Sequence, residues 1–363
     1  MRKLHALGAA THLLLISLIS LKAVSQPITT PRTPSPAASV TQTIGISSVI
    51  VNYSRPSVKG REIWGKLVPY GLNVVPGGNG TPAPWRAGAN ENTTIKFSDD
   101  AMVEGKPVPA GLYGLFFIVN QDNTAELILS KDNQSWGNFF YDPSHDLLRT
   151  KVQLREISFT EMLTYDFINS TKNSSELVLS WEKKQFPVKI EYDVDKIVMA
   201  NAAAELKSAK GFGWQAYTSA ANYAAQNKTD YDQALKWADQ AVTMNKSFAT
   251  LNVKSNVLKG MGKTEEADKL VNDAIAIATE NELNNYGYQL MNNGQVDKAI
   301  EMFILNTKRF PKSANCFDSL GEGYVTKGDS KNAIANFKKS LSMDPPANVK
   351  ANSEKFLKQL GAL

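Results

Sequence analysis

Residues 317–345 read FDSLGEGYVTKGDSKNAIANFKKSLSMDP, and this stretch decides the architecture of the C-terminal half. Residues 283–311, LNNYGYQLMNNGQVDKAIEMFILNTKRFP, show the same pattern 34 positions earlier. In each stretch a Gly and, further on, an Ala would let two helices approach closely, while large residues fill the groove around them. A Pro follows the second helix, which it cannot continue. The pattern therefore predicts helical hairpins stacked in series.

The positions shared by the two stretches are those of the tetratricopeptide repeat, which the C-terminal half resembles. In the last unit they are Phe317, Leu320, Gly321, Tyr324, Gly328, Ala333, Phe337 and Pro345. Earlier units keep the phase, since Ala234, Ala267, Ala299 and Ala333 recur at intervals of 33, 32 and 34 residues. The resemblance implies an all-α solenoid with a concave surface for a protein or peptide partner.

We expect this solenoid to occupy residues 196–363. It should contain four hairpins from about Gly213 to Asp344, after an adapting helix at 196–209 and before a capping helix at 348–360. Terminal caps are required because an end repeat otherwise exposes its apolar face.

Residues 41–193 show a different period, that of short strands. Leu177, Leu179 and Trp181 share one face, as expected for period-two alternation. The candidate strands are 42–53, 92–98, 111–119, 124–130, 147–155, 160–168, 175–182 and 186–193, the last two separated by a turn at Lys183-Lys184-Gln185. With no amphipathic helix between them, they predict an antiparallel β-sandwich or jelly-roll-like domain. The fold class is α+β multidomain.

The N-terminal residues 1–25 have the pattern of a secretory signal peptide. Met1-Arg2-Lys3 precede an apolar stretch from Leu4 to Leu21, and Ala23-Val24-Ser25 suit cleavage before Gln26. A membrane anchor is the alternative, but a spanning helix needs about 20 mainly apolar residues. Residues 26–40, rich in Pro, Ser and Thr, predict a flexible leader. We expect an exported protein, periplasmic or secreted, with no membrane span after signal removal.

Composition excludes several classes of function. Loss of the signal peptide leaves 37 of the 40 Lys and Arg against 35 Asp and Glu, too balanced for nucleic-acid binding. Cys316 stands alone, so no intrachain disulfide forms, and we expect it buried on a repeat helix. His145 is the one histidine left after the signal, which excludes Cys/His zinc sites. We expect no metal and no cofactor.

No catalytic residue emerges from the motifs. Ser144-His145-Asp146 contains the residue types of a catalytic triad, but adjacent side chains on a strand point to opposite faces. His145 could act as a general base only with a partner from elsewhere in the chain. Whether the protein is an enzyme therefore stays open.

Residues 54–91 form a long excursion rich in Gly and Pro, in which charged and aromatic residues concentrate. Its candidate ligand-binding residues are Arg55, Lys59, Arg61, Trp64, Trp85, Arg86, Asn90 and Glu91. The local acids are Glu62 and Glu91, so part of the positive charge lacks a nearby counter-charge. Arginine's planar fork suits a carboxylate, phosphate or sulfate, and an indole suits a sugar ring or a guanidinium. We predict that Arg55, Arg61, Arg86, Asn90 and Glu91 converge beside Trp64 or Trp85 in a polar pocket. The alternative is that the tryptophans anchor the loop and the arginines pair with carboxylates.

Four segments of the strand-rich part, residues 41–193, resemble a bacterial family, domain of unknown function 2911. That family is found mostly in exported proteins of the Bacteroidota. They read SRPSVKGREIWGKLVPYG from Ser54, WRAGANENTTIKFS from Trp85, PAGLYGLFFI from Pro109 and QSWGNFFYD from Gln134. This chain departs from the family pattern by inserting LNVVPGGNGTPAP between the first two. The resemblance implies a β-rich exported domain in a Gram-negative envelope, and it supplies no activity.

These observations favour an exported binding or assembly protein of the bacterial envelope. The repeats would present a concave surface to a peptide or protein, and the β domain would hold a small polar, anionic or carbohydrate ligand. One alternative is a hydrolase acting on carbohydrate or peptide through carboxylates such as Glu62 and Glu91. Another is a carbohydrate-binding module with Trp64, Trp85 and Trp136 as stacking platforms.

Overall fold

The computed structural model describes residues 34–363. The predicted signal peptide and most of the predicted leader fall in residues 1–33, outside the described part. Strands occupy the described chain from Ala37 to Glu191, and α-helices follow from Val194 to Gln359. The protein is therefore an α+β protein with its β half first, as the two sequence periods predict.

The β half of the described chain contains twelve strands in three sheets. They are β1 (Ala37–Ile44), β2 (Ser47–Ser54), β3 (Asn73–Val74), β4 (Pro82–Ala83), β5 (Thr94–Phe97), β6 (Ala101–Val103), β7 (Lys106–Val108), β8 (Gly111–Val119), β9 (Thr124–Ser130), β10 (Asp146–Gln153), β11 (Arg155–Ile168) and β12 (Ser174–Glu191). The larger sheet has the order β1-β2-β5-β8-β9-β10, the smaller one β11-β12-β6-β7, and β3 pairs with β4 alone.

The two larger sheets pack face to face around one apolar core. Phe97 and Phe117 come from the larger sheet and Trp181 and Phe186 from the smaller one, and all four side chains are fully buried. Every strand pair is antiparallel. The strands of the larger sheet lie side by side in chain order, with β3–β4 and β6–β7 placed in the other two sheets. Of the two β architectures left open by the sequence, the structure has the sandwich.

The first strand begins earlier than the sequence indicates. β1 starts at Ala37, inside the predicted leader 26–40, and pairs along its whole length with β2. The predicted strand 42–53 is thus a hairpin that reverses at Gly45, whose φ of +63° a larger residue would rarely adopt. A Cβ at Gly45 would also lie 2.5 Å from Val194 Cγ1, so the turn packs directly on the first helix.

A second correction concerns β12, which runs unbroken through the predicted turn at Lys183-Lys184-Gln185. Lys184 and Gln185 pair with Glu156 and Arg155 of β11, so the chain does not reverse there. Glu182 has a φ of +53°, and the register with β11 shifts around it. From the Glu156–Lys184 pair to the Thr160–Glu182 pair β11 advances four residues and β12 two, so the polar residues of β12 lie opposite a bulge of β11.

Ten α-helices follow in the described chain, and they form the four predicted hairpins with flanking helices. They are α1 (Val194–Glu205), α2 (Trp214–Asn227), α3 (Tyr231–Met244), α4 (Phe248–Gly260), α5 (Thr264–Ile277), α6 (Glu280–Asn292), α7 (Val296–Arg309), α8 (Ala314–Lys327), α9 (Ser330–Leu341) and α10 (Ala347–Gln359). Within residues 34–363, none of these helices is long and apolar enough to cross a membrane.

Small residues set the distance between the helices of a hairpin, as the sequence predicts. A Cβ on Gly287 would lie 2.4 Å from Phe303 Cε1, so the ring of α7 occupies the space of the missing side chain. The next hairpin repeats this contact between Gly321 and Phe337, at 2.7 Å. Cys316 is fully buried as predicted, and burial raises the pKa of its thiol to about 12.

Ala299 and Ala333 test this packing, because both lie fully buried at helix crossings. Replacing either with Leu overpacks the crossing, and the free energy of unfolding should fall by about 1–3 kcal/mol. Chemical denaturation of each variant measures the change. Ala335→Leu is the matched control, since Ala335 is exposed on the same helix as Ala333. Unchanged stability in both buried variants would contradict the repeat packing.

Candidate functional site

The excursion at residues 54–91 lies against the sandwich through main-chain pairing. Trp85 exchanges two hydrogen bonds with Phe117 of β8, with N···O distances of 2.8 and 2.9 Å. At its other end, the Leu163 amide of β11 donates to the Pro56 carbonyl at 3.0 Å. The excursion is therefore fixed to a strand of each sheet.

Four aromatic side chains join the excursion to the core. Trp85 stacks on Trp181 with ring centroids 5.9 Å apart, and Trp64 meets Trp85 edge to face at 5.7 Å. Phe186 lies 5.4 Å from Trp64. The Trp64 indole also donates to Glu182 Oε2 at 3.1 Å. We call these four residues the aromatic cluster, and Trp64 serves it as an anchor.

A pocket of about 610 Å³ lies beside the aromatic cluster. Five of the eight predicted ligand-binding residues line it: Lys59, Arg61, Trp85, Arg86 and Asn90. Its other walls are mainly Pro, Val and Gly, and its described lining contains three cationic side chains and no Asp or Glu. We call it the cationic pocket.

Arg86 is the most enclosed cation of the pocket. Its Nη1 donates to the Asn90 carbonyl at 2.7 Å, and its Cζ lies 5.4 Å from the centre of the Phe139 ring. Gly137 makes room for it, since a Cβ there would come within 2.3 Å of Arg86 Nη1. Burial lowers the pKa of Arg86. No carboxylate of the described chain forms an ion pair with this guanidinium.

The other two cations lie on a tight turn of the excursion. Lys59 has a φ of +49°, and its amide donates to Glu161 Oε1 at 3.0 Å. Arg61 Nε donates to the Val58 carbonyl at 3.0 Å, and its Nη2 donates to the Ser57 carbonyl. The turn thus holds both residues at the pocket while both stay exposed to solvent.

The structure does not bring the remaining predicted residues into this pocket. Arg55 donates from Nε to the Leu163 carbonyl at 3.0 Å and from Nη2 to Thr164 Oγ1 at 2.7 Å. It ties the excursion to β11, so the prediction that Arg55 and Arg86 share a concave surface is wrong. Glu91 lines a separate hollow beside β1 and β2.

Two further residues of the cationic pocket escaped the sequence analysis. Trp181 and Asn138 both line it. The Trp181 Nε1 donor and the Asn138 Oδ1 acceptor are buried, and neither has a hydrogen-bond partner in the described residues. The sequence signal for Asn138 was its place in the QSWGNFFYD segment, whereas Trp181 reads as an ordinary core residue of a strand.

His145 ends an exposed turn and pairs with an acid. Its Nδ1 lies 2.8 Å from Asp132 Oδ2, and this hydrogen bond raises the pKa of the imidazole. Asp146 instead accepts from Tyr141 and Arg149. Within residues 34–363, Ser130 Oγ donates to the His145 carbonyl, and no hydroxyl or thiol is hydrogen-bonded to the imidazole. The adjacent Ser144, His145 and Asp146 therefore do not form a catalytic triad. Their positions next to each other in the sequence had already argued against one.

The residues expected for a carboxylate hydrolase or for a carbohydrate-binding module do not come together in the cationic pocket. Neither Glu62 nor Glu91 lines it, although a carboxylate hydrolase would need a pair across one site. Trp64 lies in the aromatic cluster, and Trp136, half exposed, is not part of the pocket lining. In the described part of the chain, no group of three His, Cys, Asp or Glu could hold a metal ion.

The repeats carry a second candidate site, a groove of about 630 Å³ along α2, α4 and α6. These are the first helices of three successive hairpins, and stacked repeats create extended concave surfaces of this kind. The sequence predicts this surface from the repeat pattern without indicating which side chains line it.

Comparison with known proteins finds a family match in each half of the chain. Residues 35–190 match the model of a family described as protein of unknown function. We call residues 35–190 the DUF2911 domain, after the family model that they match. Residues 315–346 match a tetratricopeptide repeat model, so the two resemblances noted in the sequence are confirmed. The DUF2911 domain contains the whole excursion and hence the cationic pocket.

A stretch of 70 residues is 33% identical to cellulose synthase operon protein C of Escherichia coli strain K12. The putative protein of that name from Escherichia coli O157:H7 matches equally. The match covers 19% of this chain and 6% of the K12 protein, so the chain spans a small part of these relatives.

Among solved structures, the chain is similar to MamA, with 18% identity and a TM-score of 0.27 over 40% of this chain and 86% of MamA. It is also similar to YrrB, described as a TPR protein with an unusual peptide-binding site. That match has 19% identity and a TM-score of 0.27 over 44% of this chain and 84% of YrrB.

The His145 pair yields a prediction about pH. A raised pKa means that the folded state binds the proton more tightly, so the pairing stabilises the fold below the ordinary pKa of 6.5. This contribution is lost as the pH rises through the raised pKa. Asp132→Asn should return the pKa of His145 toward 6.5, as NMR titration of the imidazole will show. Asp142→Asn is the control, because Asp142 is a weaker contributor to the same shift. A pKa unchanged by Asp132→Asn would contradict the pairing.

Proposed function

We propose that this protein is an exported binding protein in which the repeats bind a segment of a protein partner. The groove along α2, α4 and α6 carries this proposal, because it is open, polar and built by three successive hairpins. A concave surface of this kind can contact a partner along several helices at once. The tetratricopeptide match supports an interaction or assembly role for the array.

The DUF2911 domain would hold a second, small ligand that carries an anionic group and an apolar body. Three cations and no described acid line the cationic pocket, while Trp85 and several prolines offer apolar contact. Arg86 is already partly withdrawn from water, so an anion placed beside it restores a counter-charge at little further desolvation cost. Carboxylate, phosphate and sulfate all fit a guanidinium fork.

Export to the bacterial envelope belongs to the same proposal. Its support is the sequence of residues 1–25, with a basic start, an apolar stretch and a small-residue cleavage site. Cleavage before Gln26 would leave the β domain and the repeats intact.

Benzoate and phenyl phosphate test the cationic pocket, with benzamide as a neutral probe. Lys59→Gln/Arg61→Gln should weaken binding of both anions about threefold to tenfold, because two exposed cations are lost. NMR titration at two salt concentrations measures the affinities, and added salt should weaken them further. Lys66→Gln/Lys96→Gln is the matched control, since both lysines are exposed and neither lines the pocket. Equal binding of benzamide and benzoate would contradict an anion site.

Site-specific photo-crosslinking tests the partner hypothesis in cells that make the protein. A photoreactive residue at Asn256, in the groove, should crosslink a discrete partner protein. The same residue at Asn272, exposed on α5, should not. Equal labelling from both positions would contradict the groove as the binding surface.

The intact mass of the protein in the envelope fraction tests export, since the exported chain should start at Gln26.

A further inference from the structure

Exposed aliphatic side chains border the mouth of the cationic pocket. Leu67, Leu72 and Val74 are 45%, 43% and 60% exposed. Leu67 and Val74 line the pocket. Leu72 lies between Gly71 and Asn73, which line it as well. Among the described residues, no other stretch of eight has three large apolar side chains this exposed. We call Leu67, Leu72 and Val74 the apolar lip.

The apolar lip is a fixed part of the fold. The Gly71 amide donates to the Val119 carbonyl of β8 at 2.9 Å, and the Asn79 amide donates to the Phe139 carbonyl at 3.0 Å. The hairpin of β3 and β4 is thus tied to the sandwich at its start and at its turn. Val75 packs on a buried apolar cluster, in contrast to its exposed neighbour. The exposure of the lip is therefore built into the hairpin.

The surface around the lip carries positive charge. Residues 54–91 contain five Lys and Arg against two acids, Glu62 and Glu91. Three of these cations, Lys59, Arg61 and Lys66, are exposed. Cations beside exposed aliphatic side chains suit the boundary between the headgroups and the acyl chains of a bilayer.

The enclosed cation lies inside the pocket, while the exposed aliphatic side chains lie at its mouth. Arg86 is half-buried between the Asn90 carbonyl and the Phe139 ring. Trp181 forms part of the same wall, and its buried N–H has no hydrogen-bond partner among the described residues. A carrier of a free amphiphile removes the whole aliphatic chain from water, which an exposed lip does not do. The arrangement suits a ligand whose head enters the pocket while its chains stay in a bilayer.

We propose that the cationic pocket and the apolar lip dock on an anionic bilayer. The pocket takes the charged headgroup of one lipid, for which the planar fork of Arg86 is suited. Lys59 and Arg61 are attracted by the surrounding anionic lipids, and the lip enters the boundary of the acyl chains. Neither attraction alone gives stable binding to a membrane surface, so the two act together. This inference rests on the proposed anion site of the DUF2911 domain and adds the surface that presents the anion.

Flotation with vesicles tests the docking surface. The vesicles contain phosphatidylcholine alone or equal amounts of phosphatidylcholine and phosphatidylglycerol. The exported form starting at Gln26 is used, because the apolar stretch from Leu4 to Leu21 would itself bind lipid. The protein should float with the anionic vesicles only, and added salt should weaken this binding.

Leu67→Ser/Val74→Ser should weaken binding to the anionic vesicles at least about tenfold, because less apolar surface enters the bilayer. Both residues are exposed, so the variant should fold as the parent does. Phe212→Ser/Ile277→Ser is the matched control, since both side chains are exposed in the helical half, and it should bind vesicles like the parent.

An environment-sensitive dye reports whether the lip enters the bilayer. Val74→Cys supplies a thiol for the dye, since the native Cys316 is fully buried. Its emission should shift to the blue when anionic vesicles are added. A dye on Asn272→Cys, exposed on α5, should show no shift.

Binding of phenyl phosphate separates this inference from the proposed function. The lip variant should still bind phenyl phosphate, because the three cations of the pocket are unchanged. If the parent binds phenyl phosphate but no vesicles, or binds neutral vesicles equally well, the inference is wrong and the anion site stands. Full vesicle binding by the lip variant, or an unshifted dye at position 74, would also overturn the inference. If the parent binds neither phenyl phosphate nor anionic vesicles, both proposals fail.

Discussion

The third and fourth hairpins of the repeat array depend on the contact between an aromatic ring and a residue that has no side chain. Phe303 fills the space beside Gly287, and Phe337 fills the same space beside Gly321. Each contact brings the two helices of a hairpin together and fixes their angle, because interiors are packed too tightly to adjust. The face of the first helix that points away from its partner helix is then available to line the groove. That position lets Asn side chains, which have low helix propensity, collect at the groove.

An aromatic contact has a comparable role in the β half. Trp85 stacks on Trp181 of β12 while its main chain pairs with β8, so one residue ties the excursion to both sheets. The two arginines of the pocket are held by main-chain carbonyls, Arg86 by Asn90 and Arg61 by Val58. Carbonyl oxygens orient a guanidinium without neutralising it, which leaves the pocket its positive charge.

The sequence predicts the parts of this protein that obey a period. The strand alternation predicts an antiparallel sandwich or jelly-roll-like domain, and the spacing of 32 to 34 residues predicts all four hairpins. Ala299 and Ala333 are buried as expected. Prediction from the sequence fails where the same local pattern is compatible with two different structures. Lys183-Lys184-Gln185 reads as a turn but belongs to an unbroken strand that pairs with a bulged neighbour. Arg55 and Arg86 look equivalent in sequence, yet their roles differ. Arg55 is held by Leu163 and Thr164, more than 100 residues away in the chain, which local sequence does not indicate.

The two halves meet at Asp195, which accepts from Lys172 of the β domain at 3.0 Å and from Tyr223 of α2 at 2.7 Å. These hydrogen bonds lower the pKa of this carboxyl, the bond from Tyr223 most strongly. A solenoid needs a cap at each end. At the C-terminus α10 supplies it, with Asn352 and Ser353 hydrogen-bonded to Asp318. At the other end α1 packs on α2, the helix without charged residues. α1 therefore takes the place of a capping repeat, with Lys172 of the β domain bonded to its Asp195, and α2 can offer its uncharged face to the groove.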